Sequence, residues 1–306
     1  HFVSLCRNIV DEYFIQFANE FDSPPSLRVM KSDGGFANDR IRASNALLSG
    51  PAGGLIGYSK LIPTIEKFPQ AGKVTTVIGL DMGGTSTDVS KFLGSEFEHT
   101  YSFSINGIEI NTPHLQIDTI AAGGGSKLAF VNGLFQVGPE SVGSDPGPAC
   151  YGIGDELAIT DANIVLNRLD LDNFPKVFGK SRNEKVNPEL SHIAFSRLAE
   201  VINKEIRNPK SVEEIALGYV EMGNEMMARS VRKLYSTGKP EVLIVFGSAG
   251  GQHACGIAEK IGVDKVFIHK YSGVLSAYGL SKSDIVEERK RYLGTRLDYR
   301  AKHQAF

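Results

Sequence analysis

The chain has 306 residues, 42% of them hydrophobic and 22% charged, with a formal net charge of −2. That is the composition of a globular protein of one or two domains with a sizeable core. The near-neutral balance supplies no field for nucleic acid or an anionic membrane. No apolar run is long enough to span a bilayer, and no secretory signal pattern stands at the start. Three cysteines, Cys6, Cys150 and Cys255, lack framework or zinc-knuckle spacing and fit a reducing cytosol.

The first residue is His1, and Phe2, Leu5, Ile9, Tyr13, Phe17 and Phe21 already recur at helical steps. A chain that opens inside a helix, and ends at Phe306 without a stop pattern, reads as a piece of something longer. After Ser23-Pro-Pro, Leu27–Met30 is a short strand candidate ending in Asp33-Gly34-Gly35, which is either a ligand junction or plain turn chemistry. Arg42–Leu48 is expected as a short helix. Gly50-Pro-Ala-Gly-Gly54 follows it, as an anion site ahead of a helix or as a close helix–sheet contact. Residues 63–72 read as a polar surface linker.

The most informative stretch is Val74-Thr-Thr-Val-Ile-Gly-Leu-Asp81-Met-Gly83-Gly84-Thr85-Ser-Thr87-Asp88-Val-Ser. Its pattern is strand, glycine turn, strand. Gly83 and Gly84 let backbone N–H groups approach an anion, and Thr85 and Thr87 add hydroxyl donors. Asp81 and Asp88 would repel a phosphate directly; they suit a hydrated Mg²⁺ carried with it, or the orientation of a water. The plain alternative is a hairpin with a Gly-Gly turn. There is no Gly-Lys-Ser/Thr loop and no helix after the glycines, so neither a Walker loop nor a dinucleotide fingerprint applies.

Val89–Phe92 and Phe97–Ile105 continue as a meander, and residues 108–120 read as one alternating strand. On such a strand His114 and Asp118 share a face, with Asp118 the better acid/base candidate because it approaches Gly123-Gly124-Gly125. An ordinary polar strand face is the plain reading of His114. Lys127–Val137 is a hairpin turning at Asn132-Gly133. Residues 138–152 form a long loop whose prolines argue for a fixed shape, in which Cys150 lacks a nearby histidine to activate it.

Helices are expected from Thr160 to Leu169, from Pro188 to Arg207, and from Ser211, with a Ser211–Glu214 capping box, to about Tyr235. The last carries stripes of Ile215, Tyr219, Met222 and Met226 beside Val220, Met227, Val231 and Leu234. Glu241–Phe246 is a buried strand, followed by a turn at Gly247, Gly250 and Gly251 and a helix closed by Gly262. That turn offers a flat surface to an adenine or ribose. His253, in the first helical turn, is expected neutral there and able to accept or ligate; packing at the turn explains it equally well. Lys265–His269 is the last strand, and a final helix is expected through Glu288.

Blocks along nearly the whole chain resemble the hydantoinase A / 5-oxoprolinase family of the actin-like ATPase superfamily. They are residues 79–90, Ala121-Ala-Gly-Gly-Gly-Ser126, Val137-Gly-Pro-Glu-Ser141, Asp145–Tyr151, Thr160–Asn163, Gly250-Gly-Gln-His-Ala-Cys255, Gly50–Gly54 and His269–Gly273. Ala121–Gly125 and Gly250–His253 look like the eukaryotic-type 5-oxoprolinases. Two departures are Ser248, where a glycine is expected, and Gln116 with Asp118, where the family more often shows Asp and then His or Asn.

The resemblance implies an α/β fold: an actin-like ATPase (ribonuclease H-like) lobe with a mixed β-sheet flanked by helices, plus irregular glycine/proline-rich loops. Residues 1–72 would be a lead-in, 73–290 the lobe with an insertion over 127–210, and 291–306 a truncated linker. It implies ATP and Mg²⁺ as cofactors, with Asp81 and Asp88 as metal ligands and Asp81, Asp88, Asp118 and His253 as catalytic candidates. Gly83, Gly84, Thr85, Thr87, Gly123, Gly124, Gly125, Gly247, Gly250 and Gly251 would bind the nucleotide. The implied reaction opens 5-oxo-L-proline to glutamate with ATP and water, ATP phosphorylating the lactam oxygen so that water attacks C5. The implied partners are that small molecule, a hydantoinase B-like domain and a second copy of the chain, in the cytoplasm, with no nucleic acid and no membrane. Other amides or ketones as substrates, and a non-enzymatic assembly domain, are the alternatives.

Overall fold

The computed structural model describes residues 2–23, 28–37, 43–68, 72–94, 97–105, 107–235 and 240–286. The strand expected over 27–30 lies partly outside these residues and the linker expected over 291–306 wholly outside them, while the helix expected through Glu288 ends at Leu280.

Helix α1 (Phe2–Asn19) leads the chain, followed by α2 (Ser49–Ser59) and the short α3 (Ile62–Ile65). Residues 63–65 of the expected polar linker belong instead to α3, where Ile65 is buried. In place of the short helix expected over Arg42–Leu48, the described residues show a 3-10 turn at Ala43–Asn45, and Gly50–Gly54 lies within α2. Strands β1 (Thr76–Met82) and β2 (Thr87–Leu93) follow, then β3 (His99–Ile105), β4 (Ile108–Leu115), β5 (Ile117–Ile120), β6 (Ser126–Val131) and β7 (Leu134–Ser141). Next come α4 (Ile159–Val165), α5 (Pro188–Glu205), α6 (Val212–Lys233), β8 (Val242–Phe246), α7 (Ala254–Ile261), the two-residue β9 (Val266–Phe267) and α8 (Leu275–Leu280).

The main sheet runs β5-β2-β1-β8-β9. Strand β1 is antiparallel to β2 and parallel to β8, β2 is antiparallel to β5, and β8 is parallel to β9. Counting only these strands, the order is 3-2-1-4-5, a three-strand meander followed by two parallel strands. Strands β3 and β4 stand apart as their own antiparallel pair, as do β6 and β7. The meander expected directly after β2 therefore leaves the sheet and re-enters it at β5.

Alternation along each strand gives the sheet two apolar faces. Ile78, Leu80, Met82, Val89, Leu243 and Val245 pack with residues of α4, α5, α6 and α7. Val77, Phe92, Val242, Ile244 and Phe246 pack with residues of α2, α3 and α8. Helix α6 buries Ile215, Tyr219, Val220, Met227 and Val231, with the small Ala216 and Gly223 widening that face. Met222, expected on the stripe, is instead 36% exposed. The helix starts as its sequence dictates: the Glu214 amide donates to Ser211 Oγ at 3.1 Å, and the Ser211 amide to Glu214 Oε2 at 2.7 Å.

On the other face the glycines of α2 are contact points. A β-carbon at Gly53 would stand 2.8 Å from the Ser276 carbonyl, and one at Gly57 2.7 Å from the Leu275 carbonyl, so α2 and α8 cross with backbones touching. The expected helix–sheet contact holds at Gly54, where a β-carbon would stand 2.6 Å from the Phe246 ring of β8, while Gly53 serves the crossing with α8. Asp33 likewise closes a turn: its Oδ1 accepts the Gly35 amide, and its Oδ2 pairs with Lys31 at 2.8 Å. Among the described residues, no helix is long and apolar enough to cross a membrane.

Candidate nucleotide site

Strands β1, β8 and β9 are parallel, so their carboxyl ends lie on one edge of the sheet. Both glycine turns fall on that edge: 83–86 leaves β1, and 247–253 leaves β8. Asp81 pairs with Asp88 across the antiparallel ladder and with Phe246 across the parallel one. The first turn therefore begins beside the second. The Ala249 amide donates to the Met82 carbonyl at 2.9 Å, which ties them together.

Cross-strand partners share a face, so the Asp81 and Asp88 carboxyls stand together, on the α2/α8 side. Thr119 Oγ1 donates to Asp88 Oδ1 at 2.5 Å, and Ser276 Oγ to Asp81 Oδ2 at 3.3 Å. Burial and the Asp88 charge push Asp81 up to about 6, against the Ser276 bond, while burial raises Asp88. Gly247, at φ +82°, leaves room for this carboxylate; a β-carbon there would stand 2.5 Å from Asp81 Oδ1.

Above the pair the 83–86 turn faces solvent. Gly84 and Thr85 are exposed, and a β-carbon at Gly84 would meet nothing within 4 Å. The Gly83 amide is taken by the Ser86 carbonyl at 3.0 Å. Among the described residues no acceptor in the chain takes the amides of Gly84 and Thr85. An open pair of N–H groups over two mutually repelling carboxylates fits a cation carried in with an oxyanion: the cation relieves the repulsion and the amides meet the oxyanion. Two carboxylates side by side fit the ligand set of Mg²⁺, which takes one or two carboxylates and completes its shell with phosphate and water.

The remaining candidates sit differently from expectation. Thr87 is fully buried on the opposite face, its hydroxyl donating to the Ala122 carbonyl at 2.6 Å, so it does not face the turn. Gly123, Gly124 and Gly125 are buried beneath the turn. Their amides go to Ser126 Oγ, to the Gly83 carbonyl at 3.0 Å and to the Gly84 carbonyl at 2.6 Å, so they brace the cradle and present it no donors. Gly251 is exposed and Gly250 is buried.

Asp118 pairs with Val89, whose side chain packs toward α6, so it stands on the opposite face from Asp81 and Asp88. His114 belongs to another strand: the chain breaks at Gln116, and the buried imidazole is held by Thr100 Oγ1 and the Thr112 carbonyl. His253, just ahead of α7, is 1% exposed. Its Nδ1 donates to Asn224 Oδ1 at 2.7 Å and its Nε2 accepts from Asn163 Nδ2 at 3.2 Å. Burial lowers it to about 4, which agrees with the neutral ring expected, but both nitrogens are spent inside the core. Sequence reasoning missed Ser276 and Thr119, lone hydroxyls whose roles come only from which strand or helix they land beside.

The hydantoinase/oxoprolinase family profile matches residues 4–289. The chain belongs to the hydantoinase/oxoprolinase family. Similar relatives include a 5-oxoprolinase of Dictyostelium discoideum, 43% identical over 91% of this chain and 23% of its own length. A second is 5-oxoprolinase 1 of Arabidopsis thaliana, 44% identical over 92% of this chain and 23% of its own. The chain thus spans less than a quarter of these relatives. Among solved structures, an ATP-dependent caprolactamase from Pseudomonas jessenii aligns with a TM-score of 0.69 at 31% identity, over 91% of this chain and 40% of its own. A nucleotide-free acetone carboxylase aligns with a TM-score of 0.72 at 24% identity, over 87% of this chain and 36% of its own, and speaks to the fold alone. With the 3-2-1-4-5 sheet, the fold is the actin-like, ribonuclease H-like α/β lobe of this family.

Proposed function

We propose that this chain is the nucleotide-binding portion of an ATP-dependent 5-oxoprolinase, which opens 5-oxo-L-proline to L-glutamate in the cytoplasm. The observation that carries this is the facing Asp81–Asp88 pair beneath an exposed glycine turn, at a sheet edge shared with the Gly247 turn. Relatives named 5-oxoprolinase in several eukaryotes support the substrate. A related ATP-dependent lactam hydrolase, the caprolactamase, supports the broader class.

A lactam is a poor electrophile because its nitrogen lone pair delocalises into the carbonyl; Mg·ATP, when bound, supplies the phosphoryl group that activates the carbonyl carbon and makes its oxygen able to leave. Asp81 and Asp88 would hold the hydrated cation, with Ser276 and Thr119 fixing the two carboxyls, and the open Gly84 and Thr85 amides would offer donors to phosphate oxygens. Gly247 keeps the Asp81 side uncrowded. A hydantoinase B-like domain and a second copy of the chain complete the proposed enzyme.

The test is isothermal titration of Mg·ADP into the intact protein, with phosphate release measured with and without 5-oxo-L-proline. Wild type binds, and the lactam stimulates turnover; Asp81→Ala loses both. Equal heats for the two proteins overturn the phosphate site. Turnover stimulated by another cyclic amide and not by 5-oxo-L-proline transfers the reading to a hydantoinase- or caprolactamase-type subunit.

A further inference from the structure

Three aromatic rings collect where β9 ends, on the edge that carries both glycine turns. His269 lies 5.3 Å from Tyr271 and 5.6 Å from Tyr278 between ring centroids, and the tyrosines are 6.4 Å apart. Their loop is fastened to the β8 turn. The Gly247 amide donates to the Ser272 carbonyl at 3.0 Å, and a β-carbon at Gly251 would find Ile268 Cδ1 at 4.0 Å. The Tyr271 amide donates to His269 Nδ1 at 3.2 Å, so a neutral His269 carries its proton on Nε2. Tyr278 packs on the apolar core of the α2/α8 face. Tyr271 is 47% exposed, although Lys270 Nζ lies 4.8 Å from its ring centroid.

We infer that Tyr271, with His269 beside it, is the stacking platform for the planar base of the nucleotide whose phosphates the Gly83–Gly84 turn holds. This rests on the phosphate reading above and extends it to the other end of the ligand. From β1 across β8 to β9 is two strand spacings, about 10 Å, a distance on the scale of an extended nucleoside triphosphate. The intervening Gly247–Gly251 turn presents no bulky side chain to obstruct it. The opposite direction leads to β2 and the Asp88–Thr119 pair, which is acidic and offers no ring. A tyrosine face is electron-rich, as the Lys270 contact illustrates, and stacks on any flat heteroaromatic. His269 Nε2–H adds one donor for a ring nitrogen.

The experiment compares Mg·ADP with Mg·tripolyphosphate, which lacks base and sugar, by titration into the intact protein and its Tyr271→Ala and Tyr271→Phe variants. Tyr271→Ala should bind Mg·ADP about 10- to 100-fold more weakly, the range of one lost base–aromatic stack. Its binding of Mg·tripolyphosphate should be unchanged, and Tyr271→Phe should keep the wild-type affinity for Mg·ADP. Wild-type affinity for Mg·ADP in Tyr271→Ala overturns the platform and leaves the phosphate site standing. Equal weakening toward both ligands also overturns it, since the ring would then support the loop and not the base. Wild type that binds neither ligand removes the phosphate reading and this inference together.

Discussion

Gly125 donates its amide to the carbonyl of Gly84 at 2.6 Å, so the 123–125 segment is a shelf under the turn that bears the open amides. Thr160 holds that shelf from below, its amide and its hydroxyl both donating to the Gly124 carbonyl, at 2.8 and 2.9 Å. Here glycine serves close approach between two backbones. A β-carbon on Gly123 would stand 2.7 Å from both the carbonyl carbon and oxygen of Gly84, and backbone cannot swing aside as a side chain can. Gly123→Ala should therefore cost about 1–3 kcal/mol of stability. It should also weaken Mg·nucleotide binding by displacing the turn, although the residue lies under the ligand. Calorimetry with titration checks this; a variant that binds Mg·ADP like wild type would show that the shelf does not position the turn.

Asp81 and His253 pull stability in opposite directions over nearly the same pH range. Asp81 is raised from its usual 3.8 to about 6, so between those values the folded state holds more protons than the unfolded chain, and stability rises as pH falls. His253 is lowered from 6.5 to about 4, so the folded state holds fewer protons there, and stability falls with pH. Asp81→Asn should leave the His253 trend unopposed, with a melting temperature that drops more steeply than wild type from pH 6.5 to 4. His253→Gln should flatten or reverse the slope. Parallel profiles for the three proteins would refute both assignments. In ligand binding, Asp81 must be ionised to hold the cation, so Mg·ADP affinity should weaken as pH falls through about 6.

The parts of the site legible in the sequence were those written in contiguous residues. An apolar run, an aspartate, two glycines and a second aspartate specify strand, turn and strand, and pairing across the turn puts Asp81 opposite Asp88. A buried run before Gly247 and a helix after it specify the second turn. What failed was the assignment of faces and of free donors. The His114–Asp118 pairing assumed one strand from 108 to 120. The Gln116 amide instead donates to the Glu98 carbonyl, the chain passes between sheets at that point, and the two side chains part. Glycine looks the same in sequence whether its amide meets a ligand, as the Gly84 amide is free to do, or another loop, as at Gly125. Gly53 reads as a residue ahead of the helix yet packs helix on helix, because only the partner α8 explains why a side chain is missing there.

Asp161 organises the loop that precedes it. The carboxylate is fully buried and accepts from the amides of Ala149, Cys150 and Ala158 at 3.2, 2.9 and 2.9 Å, and from Ser191 Oγ at 2.7 Å. Asp161→Ala orphans the amides of Cys150 and Ala158 and the Ser191 hydroxyl in a dry interior, at about 1–3 kcal/mol for each one left unsatisfied, while the Ala149 amide keeps the Glu156 carbonyl at 3.0 Å. Asp161→Asn should rescue little, because its amide group sets N–H against N–H. The expected melting point falls by about 10 °C or more in both variants. A shift within 2 °C would mean that water or another acceptor replaces the carboxylate.

Cys150 and Cys255 should separate cleanly in a native alkylation experiment. The attacking species is the thiolate, so both ionisation and access matter. Cys150 is fully buried, and its thiol is pushed far above the ordinary range, first by burial and then by the Asp161 charge beside it. Cys255 is exposed on α7. Iodoacetamide on the folded protein, followed by peptide mapping, should label Cys255 and spare Cys150 until denaturant is added. If Cys150 acted as a nucleophile, Cys150→Ala would abolish lactam-stimulated phosphate release. The burial predicts that this variant keeps turnover and loses about 1 kcal/mol of stability from the small cavity. Labelling of Cys150 at the Cys255 rate, or a dead Cys150→Ala enzyme that still folds and binds Mg·ADP, would make the thiol a reacting group after all.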